Sequence, residues 1–134
     1  MIMQAIGTFE VHLGSLETYN QAADAKVGRM SIDKTFAGDI VGTSRGEMLT
    51  GGSPAEGSAG YVAIERVTGS LAGRSGSFLL QHSATMTPAS QEQTVTVVPD
   101  SGTGELEGVT GSMSIEIRNG KHFYDFAYTL PDNR

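Results

Sequence analysis

The sequence predicts an all-β chain: one domain, residues 1–134, folded as a single closed eight-stranded antiparallel β-barrel. Three observations lead there. Apolar and polar residues alternate with a period of two along most of the chain, and no window of a dozen residues carries an apolar stripe at 3.6-residue spacing. Turn-forming residues punctuate these runs at short intervals, and Asn119-Gly120 between two alternating runs is the strongest short hairpin signal a sequence offers. Glycine makes up 18 of the 134 residues, about 13% against a usual ~7%, with no collagen period. Eight short-linked strands leave two sheet edges unless the sheet closes on itself, and closure removes them.

The strands follow in order. The first spans about Gln4 to Leu13, with Ala5, Gly7, Phe9, Val11 and Leu13 on the inward face and Thr8, Glu10 and His12 opposite. Ser15 to Val27 is polar and small, and reads either as a short helical turn or as an ordered loop. The second strand, Arg29 to Phe36, opposes Met30, Ile32 and Phe36 to Arg29, Ser31, Asp33 and Thr35. Asp39 to Leu49 is the third, and GGSPAEGSAG, residues 51–60, is a loop by composition. Tyr61 to Thr68 and Ser75 to Met86 form a hairpin, Thr94 to Val98 is the sixth strand, and Ser112 to Arg118 pairs with His122 to Leu130.

An internal repeat lies inside this pattern. Gly69-Ser-Leu-Ala-Gly73 and Gly104-Glu-Leu-Glu-Gly108 both continue as G-x-x-G-S, and Gly38-Asp-Ile-Val-Gly42 is a looser third copy. Three strong copies would be needed for a solenoid. The units read instead as similar strand-to-strand corners, each with an apolar anchor in the core.

Composition excludes several function classes. There is no cysteine, which removes disulfides, thiolate metal sites and cysteine nucleophiles together. The formal net charge is −6, from 9 basic and 15 acidic side chains; nucleic-acid binding needs clustered Lys and Arg, so no nucleic-acid partner is expected. The N-terminus lacks the pattern of a signal peptide, and no run approaches a membrane span, so a cytoplasmic protein without a membrane partner is expected.

Motif matches mostly dissolve in context. Gly42-Thr-Ser-Arg-Gly46 fits the G-x-S-x-G nucleophile elbow, but the residues that follow are too few and too glycine-rich for the helix that elbow requires. The glycines of Gly102 to Gly108 miss the dinucleotide spacing and lack a surrounding βαβ unit. His12, His82 and His122 are far apart and form no metal-ligand motif, so neither a metal nor a cofactor is expected.

Polar residues on inward faces are more informative. His82 shares its face with Phe78, Leu80, Ala84 and Met86; Lys34 shares one with Met30, Ile32 and Phe36; His122 shares one with Tyr124, Phe126 and Tyr128. Glu65 and Arg66 are neighbours, so alternation turns one of them inward without saying which. Buried charges need partners. These residues therefore form an internal ion pair or emerge at a barrel mouth; alternatively they line a cavity, with Glu65 or Glu47 as an acid/base beside His82. Val41, Leu49, Leu79 and Phe123 fall on outer faces, as an oligomer interface requires.

Ser101 to Ile115, with its G-x-G-x-(apolar)-x-G-x-x-G pattern, resembles the turn and strand of the allene oxide cyclase and dirigent-type barrels. Across nearly the whole chain, the segments Lys34 to Leu49, Tyr61 to Gly69, Gly73 to His82 and Val97 to Gly104 resemble a bacterial domain-of-unknown-function family built on the same barrel. The resemblance implies an eight-stranded barrel with a central cavity, and it brings no known activity. Its acids do not align with the glutamate of the cyclases, so no catalytic residue is carried over. The function expected first is binding of a small apolar or amphipathic ligand by a cytoplasmic homo-oligomer. An isomerase or cyclase using Glu65 and His82 comes second, and a structural or interaction module without a ligand third.

Overall fold

The computed structural model describes residues 1–131. Eight strands, β1 (Met3–Leu16), β2 (Val27–Gly38), β3 (Ile40–Gly52), β4 (Ala59–Leu71), β5 (Arg74–Met86), β6 (Gln91–Val97), β7 (Thr110–Arg118) and β8 (Lys121–Thr129), follow one another around a closed antiparallel barrel. β1 closes it by pairing Met3 to Phe9 with Tyr128 to His122 of β8.

Two hairpin turns explain much of the connectivity. Ala72 (φ 50°) and Gly73 (φ 85°) link β4 to β5, and Asn119 (φ 52°) and Gly120 (φ 77°) link β7 to β8. Both central residues in each turn have positive φ, the geometry whose twist matches that of the flanking strands. Asn-Gly announces this in the sequence; Ala-Gly hides it.

Strands run further than composition suggests. β4 continues through Gly69 and Ser70 to Leu71, and β3 runs on to Gly52, because glycine on a strand still pairs through its backbone. β6 begins at Gln91 rather than Thr94, since its polar start pairs with β5 up to Met86. Between Ser15 and Val27, β1 extends to Leu16, and the rest is a loop with a single turn from Ala22 to Ala25, not a helix.

The repeated corners differ in backbone and agree in purpose. The first is the tight Ala72-Gly73 hairpin turn; the second contains a 3-10 turn, Gly104–Leu106. Yet Ile40, Leu71 and Leu106, the apolar residues of all three copies, are each 1% exposed and plug the same end of the barrel. The aromatic rings of Phe78, Phe126 and Tyr128 stack above them, and Phe36 meets Tyr124 edge-on at 5.7 Å. This lower end is packed solid with apolar side chains.

Alternation is strict enough to assign faces across the whole wall. Inward side chains near the lower end are buried apart from Met3, whereas at the upper end Val11, Met30, Met48, Tyr61, Met86 and Ile115 are only half-buried. The seam between β6 and β7 is the weakest, held by a single pair, Thr96 with Ser112, against seven pairs between β5 and β6. The barrel is plugged below and loosely closed above.

Candidate functional site

Where the fully buried lower half meets the half-buried upper half, one polar side chain points inward from each of four successive strands. These are Lys34 on β2, Ser44 on β3, Glu65 on β4 and His82 on β5, all buried. Register explains the convergence. Lys34 lies opposite Ser44, Gly46 lies opposite Glu65, and His82 lies opposite Ala63, two residues before Glu65, so the four form a diagonal belt. Gly46 makes the belt possible, since a Cβ there would sit 2.6 Å from the Glu65 Cα.

Glu65 is the centre. Its Oε2 accepts a hydrogen bond from Lys34 Nζ at 2.8 Å and lies 2.6 Å from His82 Nε2. Burial alone would push the carboxyl up, but the His82 hydrogen bond and the Lys34 charge outweigh it, and the pKa is lowered from 4.5 to about 2. An ionised carboxylate only accepts, so Nε2 of His82 carries the shared proton. Lys34 gains further from the Phe9 ring, whose centroid lies 4.5 Å from Nζ. Two atoms of the belt are sealed from solvent without a hydrogen-bond partner among the described residues: Glu65 Oε1 and Ser44 Oγ.

Six residues were expected near a cavity, and three of them meet. Glu65, not Arg66, faces inward, and it joins Lys34 and His82. Arg66 lies outside and donates to Ser77 Oγ at 3.1 Å. Glu47 is a correction: it shares the outward face of β3 with Arg45 and Leu49, and forms an exposed ion pair with Arg29 at 2.6 Å, so it cannot serve His82 from inside. His122 does point inward, but at the upper mouth, with its ring 5.1 Å from that of Phe9.

Sequence reasoning missed Ser44. It is the serine of the false elbow motif, and it stands in mid-strand, not on a strained turn. The signal was present in the alternation Gly42, Ser44, Gly46, Met48, which aligns it with the inward face. Leu79 is the other difference. It lies on the outer face as expected and is half-buried, beside the chain after β6, which continues along β5 with Val98 N–H donating to the Leu79 carbonyl and Leu79 N–H to Ser101 Oγ.

Grooves also mark the outer wall. One of about 860 Å³ runs along Glu10, His12, Asp33 and Thr35, and another of about 820 Å³ along Leu49, Val62, Ile64 and Gln81. Among the described residues no group of three or more His, Asp or Glu is placed to hold a metal ion, and no helix is long and apolar enough to cross a membrane.

Comparison with known proteins agrees with this architecture. The crystal structure of a protein with unknown function from the DUF3224 family of Shewanella oneidensis MR-1 superposes with a TM-score of 0.92, at 45% sequence identity, covering 98% of this chain and 99% of that one. None of the curated proteins matches the chain. The model of the same family, described as a protein of unknown function, matches residues 5–128, and the chain belongs to the DUF3224 family.

Proposed function

We propose that this protein is a cytoplasmic small-molecule-binding barrel, of the allene-oxide-cyclase-like kind that its glycine turn resembles, and that an amphipathic ligand occupies its upper end. One observation carries the reading: a buried charged centre, Lys34, Glu65 and His82, forms the floor beneath a ring of half-buried apolar side chains. Ligand sites of this kind are mostly apolar with a few convergent polar groups. The apolar part of the ligand lies against Met30, Met48 and Met86, whose flexible thioethers adapt to varied shapes. Its polar end faces the belt. Native mass spectrometry of the protein purified from its own host tests this directly, with a co-purifying mass expected; bare chain alone, under conditions gentle enough to keep a reference complex intact, overturns it.

A second reading, an isomerase or cyclase at the same centre, is favoured by the His82 ring. Its Nε2 is engaged by an ionised carboxylate, which fixes the ring, and its Nδ1 has no protein hydrogen-bond partner among the described residues. A histidine oriented by a carboxylate with its other nitrogen free is the usual arrangement of a general base. Under this reading Glu65→Gln and His82→Ala abolish turnover of a cognate substrate while circular dichroism stays unchanged; turnover that survives both substitutions removes it.

A further inference from the structure

Two buried polar atoms, Glu65 Oε1 and Ser44 Oγ, have no hydrogen-bond partner among the described residues. Leaving a buried acceptor unmade costs about 1–3 kcal/mol, and more when it is charged. Glu65 Oε1 belongs to an ionised carboxylate, so whatever meets it must donate a hydrogen bond. Ser44 Oγ both donates and accepts, and it lies opposite Lys34, whose ammonium has spent only one of its protons on Glu65. A single hydroxyl that donates to Oε1 and accepts from both Lys34 and Ser44 satisfies all three.

Charge narrows the class further. Lys34 already balances Glu65 at 2.8 Å, so the centre offers no uncompensated charge to an ion. A ligand ammonium would meet the Lys34 ammonium, and a ligand carboxylate would meet Oε1, each at close range in a site sealed from water. We infer that Glu65 Oε1, Ser44 Oγ and Lys34 Nζ form a receptor for one neutral hydroxyl group, and that the ligand is an uncharged alcohol, not an acid or an amine. The inference rests on the ligand-binding reading above and adds the class of its ligand. Water supplies the same hydrogen bonds, so the test separates water from an alcohol.

The intact chain is titrated at pH 7 with 1-octanol, octanoate and octylammonium, which share one apolar tail, and binding is read by calorimetry and by the shift in melting temperature. The expected result is that 1-octanol binds at least about tenfold tighter than either ion, a difference of about 1.4 kcal/mol. Ser44→Ala, a small change that leaves the charged trio in place, weakens 1-octanol binding by about tenfold by the same conversion. If octanoate or octylammonium binds as well as the alcohol, or Ser44→Ala binds it unchanged, the hydroxyl receptor is overturned and the ligand-binding reading stands. If no probe binds, the belt holds water and the inference falls; bare chain in native mass spectrometry then takes the broader reading with it.

Discussion

His82 Nε2 lies 2.6 Å from Glu65 Oε2, inside a barrel wall that leaves Glu65 no solvent exposure. Folding therefore holds this carboxyl ionised, with a pKa near 2 where the ordinary value is 4.5. A carboxyl depressed on folding stabilises the native state above its unfolded pKa and loses that contribution as pH falls toward the folded one. At about 1.4 kcal/mol per unit, the loss between roughly pH 5 and pH 2 is about 3 kcal/mol. Urea denaturation across that range measures it. Glu65→Gln should flatten the slope, and an equally steep slope in that variant would assign the acid sensitivity elsewhere.

Lys34 and Glu65 are a buried pair, 6% and 0% exposed at their side chains, and such pairs behave asymmetrically. Lys34→Met strands a carboxylate with His82 as its one remaining polar partner and should cost about 3–5 kcal/mol. Adding Glu65→Leu to the same chain removes the stranded charge and should recover most of that loss, because an apolar replacement of similar volume is tolerated where a lone charge is not. A double-mutant cycle by chemical denaturation gives the coupling. Additive losses would mean that the two side chains do not stabilise each other.

How far the sequence foretold this centre depends on the residue. Alternation on β5 and β2 turned His82 and Lys34 inward correctly, because long regular strands fix parity over many residues. On β4 the pattern Ile64, Glu65, Arg66, Val67 is locally ambiguous: Ile64 is apolar yet 47% exposed, and Val67 alone continues the inner face. Glu47 is placed outside by the same parity that turns Ser44 inward, because Gly42, Ser44, Gly46 and Met48 share the other face of β3. The belt itself depends on register between strands, which a single sequence does not encode locally. The fold was legible because periodicity is local; the site is a sum of three registers between four strands.

Tyr124 ties the lower end together. Its hydroxyl donates to the Ala37 carbonyl at 2.9 Å and accepts from Ile40 N–H at 2.8 Å, spanning the turn that joins β2 to β3. Gly7 leaves the space, since a Cβ there would come within 2.5 Å of that hydroxyl. Tyr124→Phe removes both bonds at once and should cost about 1–3 kcal/mol. Burial pushes the phenol pKa up and Asp39 adds to this, against the opposing Ile40 hydrogen bond. In an alkaline absorbance titration one of the four tyrosines should ionise late, and that late step should be missing from Tyr124→Phe.

The outer wall carries its own prediction. Leu49 and Val62 face each other across β3 and β4, Ile64 lies beside them, and the three are 56%, 51% and 47% exposed. Contiguous apolar surface of this kind marks interfaces, and the Arg29–Glu47 ion pair on its rim offers both signs of charge to a second copy turned by a two-fold axis. We propose that the protein self-associates through this face. Light scattering coupled to size exclusion should give a dimer for the natural chain. Val62→Lys with Ile64→Lys should give a monomer whose melting temperature falls by only a few degrees, since surface substitutions cost little, about 0.5 kcal/mol each. A natural chain that stays monomeric at millimolar concentration would leave the patch without this partner.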